Sequence, residues 1–352
     1  MTKPSQTNSS KVPAPMRERS LSPPQTSTTT IGVIGLGNIG RGVALSAARG
    51  ENVGLLIWDH APGARKAFDG VPGIGVATPA EMARRADVIL FVVPSTTEIL
   101  SCLRGRDGIF KHARKGLVIY DFTTSDPART RAVAKEAAKH GIVYLDAGTS
   151  GGPYKADKGR LLSMVGGDRD AFERTRYVLN NICEHIFFVG PSGAGHTLKL
   201  LHNIVCHATT LATAEAGHMA ERAGITLKDM IDVFNVSNAR SYASEFRFPQ
   251  HIISKTWDGR SRIYNLHKDI AMGVELGKRL GADTTFSQAT LAILNLAMAH
   301  GMADDDHTLL YRDFDKFRKK PKRRAASAAK TSARTKKGAK VKPAARKRRQ
   351  KR

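Results

Sequence analysis

Thr30-Ile31-Gly32-Val33-Ile34-Gly35-Leu36-Gly37-Asn38-Ile39-Gly40 is a short apolar, β-branched run that breaks into three glycines spaced G-x-G-x-x-G. From Arg41 to Arg49 the sequence reads as a helix that buries Val43, Ala44, Ala47 and Ala48. Strand, tight turn and helix, in that order, are the context in which this glycine spacing carries meaning. Gly35 makes the turn, Gly37 lets the backbone approach a pyrophosphate, and Gly40 lets helix and strand pack closely. The helix start adds unpaired N–H groups and partial positive charge, which suit phosphate oxygens. A second strand, Val53 to Trp58, ends at Asp59, nineteen residues after Gly40. An acid at that strand tip is placed to accept a hydrogen bond from a ribose 2′-hydroxyl. The stretch predicts a dinucleotide-binding domain.

Outward from this unit the alternation continues. Thr78-Pro79 opens a helix to Ala86, and Val88 to Val93 reads as a buried strand that ends in the loop Pro94-Ser95-Thr96-Thr97. Leu117 to Tyr120 is a strand leading into Asp121-Phe122-Thr123-Thr124 and a helix from Pro127 to His140. Ile142 to Leu145 is the next strand, with Asp146-Ala147-Gly148-Thr149-Ser150-Gly151-Gly152 as the loop at its tip. Leu161 to Val165 and Ile186 to Val189 follow as strands around a helix from Asp170. The pattern predicts an α/β class fold, a doubly wound Rossmann sheet over residues 30–192. Ligands of such sheets lie outside the carboxyl ends of the strands, where each of these loops falls. There Ser150-Gly151-Gly152 offers a hydroxyl and unobstructed N–H groups, which suit a carboxylate, although by itself the stretch also reads as a glycine-rich turn before Leu161.

At Gly193-Ala194-Gly195-His196-Thr197-Leu198-Lys199-Leu200-Leu201-His202-Asn203 the character changes, and a helix runs on to Arg222. Leu227 to Phe234, Asp269 to Leu280 and Thr285 to His300 are further amphipathic helices, so residues 193–315 are expected to form an all-helical domain. Lys199 and Asn203 stand four apart on one helix face, with His196 three residues earlier. The amine can give or take a proton and the amide can hold a group in place, which suits them to proton transfer; taken alone, the same residues also read as a solvated helix behind a capping glycine turn. Lys268-Asp269, at the expected start of a helix, reads from its own surroundings as a surface pair. A long helix leading from a Rossmann domain into a helical one commonly builds a subunit interface, so a homodimer or tetramer is expected.

Composition bounds the alternatives. The chain has 352 residues, 41% of them hydrophobic, enough for two cores. Its three cysteines, Cys102, Cys183 and Cys206, suggest neither a disulfide framework nor a metal site, and they fit a reducing compartment, so a cytoplasmic location is expected. The longest unbroken apolar run, Val88 to Val93, is far short of a membrane span. Residues 1–29, rich in Ser, Thr and Pro without an apolar core, read as a disordered leader. The net charge of +25 is local: residues 316–352 hold nineteen Lys or Arg and no acid, leaving 37 bases against 31 acids in the rest. That stretch is expected to be a disordered basic tail.

Five motifs occur in order: G-L-G-N-I-G (35–40), D-F-T-T (121–124), D-A-G-T-S-G-G (146–152), G-A-G-H-T-L-K-L-L-H-N (193–203) and K-D (268–269). Together they resemble the β-hydroxyacid dehydrogenase family, which includes 3-hydroxyisobutyrate dehydrogenases and tartronate semialdehyde reductases, over about residues 31–310. The resemblance implies an NAD(P)-dependent oxidoreductase that moves a hydride between the nicotinamide and a small carboxylate-bearing β-hydroxyacid or semialdehyde. NAD is the expected cofactor, with NADP as the alternative, and no metal is implied. Gly35, Leu36, Gly37, Asn38, Ile39 and Gly40 would line the pyrophosphate, Asp59 the adenosine ribose, Pro94 and Ser95 the cofactor bridge, and Thr124 the nicotinamide side. Ser150, Gly151 and Gly152 would hold the substrate carboxylate, Lys199 would be the acid/base, Asn203 its organiser, and Lys268 a closing residue at the cofactor. The chain departs from the family at Ile39, where Met is usual, at Gly148, where Pro is usual, and at Lys155, where Gly is frequent. A competing reading is a nucleic-acid-associated protein that binds non-specifically through residues 316–352, with the Rossmann body as sensor or scaffold.

Overall fold

The computed structural model describes residues 28–318. Most of the expected leader and tail therefore lies outside the described residues. Strand β1 (Thr29–Ile34) pairs in parallel with β2 (Val53–Trp58) and with a later strand, Val88–Phe91. With β3 (Ile74–Val76), that later strand as β4, β5 (Val118–Asp121), β6 (Val143–Ser150), β7 (Leu161–Gly166) and β8 (Cys183–Gly190), they form one sheet in the order β3-β2-β1-β4-β5-β6-β7-β8. Every pairing is parallel apart from β6 with β7. The central strands are continuous apolar runs because helices cover both faces, and all four residues of β4 are buried. Two apolar clusters fill the two sides of the sheet: Val33, Val43 and Leu90 belong to one, Ile34, Ile89 and Phe91 to the other.

The strand order reverses direction between β1 and β4, which opens a crevice at their carboxyl ends. Helix α1 (Asn38–Ala47) starts there, followed by α2 (Pro62–Lys66), α3 (Pro79–Arg85), α4 (Thr96–Leu103), α5 (Ile109–His112), α6 (Pro127–Ala138), α7 (Gly152–Asp157) and α8 (Arg169–Thr175). Several begin at a side-chain cap. Thr78 and Glu81 form a reciprocal capping box on α3, and Ser95, Asp126 and Asp168 cap α4, α6 and α8.

Helix α9 (Ala194–Arg222) leaves the sheet and becomes the spine of the second domain. At 29 residues it is about 44 Å long, enough to touch both bodies. Around it pack α10 (Leu227–Asn235), a π-helical segment (Ala243–Ile253), α11 (Ile263–Arg279), α12 (Thr285–Ala299), α13 (Leu309–Arg312) and α14 (Phe314–Arg318). A third apolar core, with Leu211, Phe248, Ile270 and Leu294, holds them. Among the described residues no helix is long and apolar enough to cross a membrane.

Several expectations need correction. β1 opens at Thr29, one residue inside the expected leader, because Thr29 pairs with Val53. α1 begins at Asn38 rather than Arg41, so the last half of the glycine motif is its first turn. β4 ends at Phe91, not Val93. The expected loop from Asp146 is strand as far as Ser150, because β7 returns antiparallel and pairs with it. α11 starts at Ile263 rather than Asp269, which places Lys268 and Asp269 inside the helix. The tail boundary at 316 is also displaced: Lys316, Phe317 and Arg318 are helical, and Phe317 is only 1% exposed.

Candidate active site

The glycine-rich turn sits at the carboxyl end of β1. Gly35 adopts φ +97°, and a Cβ there would lie 2.3 Å from the Val92 carbonyl oxygen. A Cβ on Gly40 would strike the Gly35 carbonyl oxygen at 1.9 Å, so the third glycine is a packing requirement. A Cβ on Gly37 would meet nothing within 4 Å, and that open face is where a ligand can approach the backbone. Unlike α3, α4, α6 and α8, helix α1 has no side-chain cap; its first turn also carries no acidic residue. Its leading N–H groups are therefore available to an anion, and the geometry fits a pyrophosphate. Asn38 is exposed and donates its amide to the Arg260 carbonyl at 3.1 Å, while Ile39 is half-buried against the sheet core. Asp59, at the tip of β2, accepts from the Leu36 N–H and the Ala61 N–H, each at 2.8 Å. Those bonds fix the carboxylate beside the turn and leave further lone pairs for a hydroxyl.

The loops after β4 and β5 lie side by side, joined by the Thr96 hydroxyl donating to Ser125 at 3.2 Å. Pro94 is exposed there, and Ser95 uses its hydroxyl within α4, accepting from Thr97 N–H and donating to Glu98. That leaves the Ser95 hydroxyl no hydrogen to give a cofactor, so any contact falls to its remaining lone pair or to its backbone. The Thr124 carbonyl accepts from Lys268 Nζ at 3.1 Å across the domain boundary.

α9 is pinned to the sheet by a buried carboxylate. Asp146 accepts from Gly193 N–H at 2.7 Å and from His196 N–H at 2.9 Å, capping the helix from outside its own sequence. A Cβ on Gly195 would lie 2.3 Å from the Met164 carbonyl oxygen, so the helix start rests directly on β7. One turn later Lys199 lies over β6, where a Cβ on Gly148 would come within 2.6 Å of Lys199 Cβ. Lys199 is 9% exposed. Burial holds its ammonium below the ordinary lysine range, with Asp269 working in the opposite direction. His196, expected on the same face, is fully committed to the fold: Nδ1 bonds the Thr130 hydroxyl at 2.7 Å and Nε2 the Asp121 carbonyl at 3.1 Å.

Asn203 is buried beside Lys199, but its amide points to neighbours other than the lysine. Nδ2 donates to Asp269 Oδ2 at 2.7 Å, and Oδ1 faces His202 Nδ1 at 2.9 Å. His202 Nε2 in turn lies 3.1 Å from Ser150 Oγ. Asp269 Oδ1 is 3.1 Å from Lys268 Nζ and makes no hydrogen bond there. A continuous chain of contacts thus runs Thr124–Lys268–Asp269–Asn203–His202–Ser150, from the loop after β5 through two helices to β6. Gly151 (φ +124°) and Gly152 (φ +63°) then turn the backbone from β6 into α7, and a Cβ on Gly152 would meet nothing within 4 Å. The structure brings together Lys199, Asn203, Lys268, Thr124 and Ser150. The sequence reading assigned no role to His202 or Asp269. Asp269 lies 7% exposed because α11 packs against α9, a contact that local sequence does not reveal. His202 could have been found from its place three residues after Lys199.

Residues 30–190 match the family model described as the NAD binding domain of 6-phosphogluconate dehydrogenase, and residues 193–314 match that of the NAD-binding domain of NADP-dependent 3-hydroxyisobutyrate dehydrogenase. A probable mitochondrial 3-hydroxyisobutyrate dehydrogenase of Dictyostelium discoideum is 30% identical over 293 residues, covering 81% of this chain and 90% of the relative. An L-threonate dehydrogenase of Escherichia coli is 29% identical, with 81% and 94% covered. The crystal structure of a 3-hydroxyisobutyrate dehydrogenase from Salmonella typhimurium superposes with a TM-score of 0.73 at 26% identity, covering 81% of this chain and 99% of that one. With a nucleotide-binding turn, a buried lysine and this likeness along both domains, the chain belongs to the β-hydroxyacid dehydrogenase family of NAD(P)-dependent oxidoreductases.

Proposed function

We propose that this protein oxidises a small β-hydroxyacid, or reduces the matching semialdehyde, with Lys199 as the acid/base. The observation that carries the reading is the buried Lys199, its stem over Gly148 of β6, its charge within reach of Asp269, and no hydrogen-bond partner for its amine among the described residues. Ser150 and the N–H groups at Gly151 and Gly152 receive the substrate carboxylate. A bound nicotinamide dinucleotide, held by the residues from Gly35 to Gly40 and by Asp59, supplies the hydride acceptor or donor. Lys199 takes the hydroxyl proton during oxidation and returns it during reduction, and the remaining N–H of Asn203 orients the hydroxyl. Asp269 fixes that amide by accepting its other N–H. Lys268 reaches from α11 to the Thr124 carbonyl and closes the cleft from the helical side. Pro94 and Ser95 would border the cofactor at the end of β4. The test is turnover on a panel of β-hydroxyacids with NAD and with NADP, for the wild type and Lys199→Ala. A loss of about 10²–10⁴-fold in the variant, with cofactor affinity retained, is the expected result. Near-normal turnover of the variant would overturn the assignment.

The outer face of α9 supports assembly. Leu198, Leu201 and Val205 follow one another at helical spacing and stay 39%, 46% and 64% exposed in the single chain. A homodimer or larger assembly that pairs this face would cover them, and light scattering should give the mass of at least two chains. Three free cysteines support a reducing compartment, for which the cytoplasm remains the reading.

A further inference from the structure

Ser150 and His202 meet between β6 and α9, and the direction of their hydrogen bond follows from what lies behind it. Asn203 gives an amide hydrogen to the Asp269 carboxylate at 2.7 Å, and a carboxylate only accepts, so the amide oxygen is turned toward His202. That oxygen, 2.9 Å from Nδ1, also only accepts, so Nδ1 carries a hydrogen. A neutral imidazole then presents a bare Nε2 to Ser150 Oγ at 3.1 Å, and the serine must donate. In this state Ser150 turns a lone pair, not a proton, toward the carboxylate turn. We infer that His202 is a positioning residue that sets the direction of the Ser150 hydroxyl, so that the turn grips a carboxylate fully only when His202 carries a second proton. As an imidazolium, His202 donates from Nε2 to Ser150 Oγ, which frees the serine proton for the substrate. The inference rests on the reading of Ser150-Gly151-Gly152 as the carboxylate site.

The surroundings make this a coupled equilibrium. Burial, the Lys199 ammonium on the same helix and the Arg247 guanidinium from the π-helical segment all oppose the second proton and hold His202 below the ordinary histidine range, while the bond to Asn203 works the other way. From β6 the facing group is the Ser150 hydroxyl, and from α11 Asp269 reaches His202 only through Asn203. A bound carboxylate shifts the balance toward the imidazolium. His202 is half-buried, so the proton can come from bulk water. Binding of the acid should therefore take up a proton, and affinity should rise as pH falls.

The experiment uses the full chain saturated with NAD and a non-reacting short carboxylate, propionate, as the probe. Its inhibition constant is measured from about pH 6 to about 8.5, and calorimetry in two buffers of different ionisation enthalpy counts protons. In the wild type, affinity should climb toward about tenfold per pH unit between the free and bound pKa of His202, with proton uptake approaching one. His202→Gln keeps an amide that can donate to Ser150 at any pH, so it should flatten the profile, abolish the uptake and change KM more than kcat. His202→Asn repeats the comparison if the first variant does not fold. Ser150→Ala should weaken binding and remove the pH slope. Absence of proton uptake in the wild type, or a histidine variant that retains the wild-type slope while Ser150→Ala weakens binding, overturns the role of His202 but leaves the carboxylate site standing. Undiminished binding by Ser150→Ala overturns the carboxylate site itself, and the inference with it.

Discussion

At the scale of single residues, environment sets what Lys199 and Asp59 can do. A free lysine titrates near 10.4, too basic to cycle readily at neutral pH. Burial lowers the value for Lys199, and the proximity of Asp269 keeps the shift from being larger. In the proposed mechanism the neutral amine is the base, so oxidation should rise with pH through the Lys199 pKa and level off above it. Reduction needs the ammonium and should fall over the same interval. Rate profiles in both directions check this: the shared midpoint should lie below that of free lysine and should vanish in Lys199→Ala. Asp59 argues for NAD over NADP. Its carboxylate is locked by two backbone N–H groups, and at the ribose position proposed for it the group would accept from a 2′-hydroxyl and repel a 2′-phosphate. Arg65, the cation nearest in sequence that could answer a phosphate, stacks over Trp58 with its guanidinium carbon 4.7 Å from the ring centre. Measured kcat/KM should favour NAD, and a preference for NADP would mean that Arg65 leaves Trp58 to meet the phosphate.

At the scale of elements, the junction of β6 with α9 carries the site. Removing the Asp146 carboxylate leaves two buried N–H groups at the start of α9, Gly193 and His196, without their acceptor. Each such loss costs about 1–3 kcal/mol, so Asp146→Ala should lower unfolding free energy by at least about 2 kcal/mol in urea titration. Because Lys199 lies one turn beyond, activity should fall as well. This junction also marks where the sequence stopped being legible. The central strands β1, β4 and β5 were readable because each carries a buried apolar run, whereas β3, three residues long and half-exposed, was not read; the Lys199–Asn203 face followed from helical periodicity alone. β6 beyond Leu145 is Asp-Ala-Gly-Thr-Ser, polar and small, and only the antiparallel return of β7 makes it strand. The segment Ala243–Ile253 hid its helicity behind Pro249, which cannot donate to a regular helical ladder. Asp269 looked like a surface acid because burial by α9 is a tertiary fact. His196 shared the Lys199–Asn203 face by spacing, yet neighbouring Thr130 and the Asp121 carbonyl claim both of its ring nitrogens.

At the scale of the whole molecule, the basic stretch begins inside the fold. Phe317 is buried in the helical core, edge-on to Phe314, and Arg318 pairs with Glu215 at 3.1 Å. From 319 to 352 the chain has seventeen Lys or Arg and no acid. Every residue proposed for the active site precedes position 270, so this segment and the chemistry should be separable. Deleting 319–352 should leave turnover and thermal stability unchanged. Deleting from 316 should instead destabilise the helical domain by about 3–5 kcal/mol, the range for loss of a buried phenylalanine. The same pair of truncations tests the segment as a polycation. A stretch of this composition is expected to bind duplex DNA without sequence preference, with dissociation constants of about 10⁻⁴–10⁻⁶ M at physiological salt and a steep weakening as salt rises. Fluorescence anisotropy on a labelled duplex should therefore report binding by the full chain and none by the chain ending at Arg318. Equal binding by the two would place the DNA contact on the folded body. Loss of turnover on removing 319–352 would make the segment part of the enzyme.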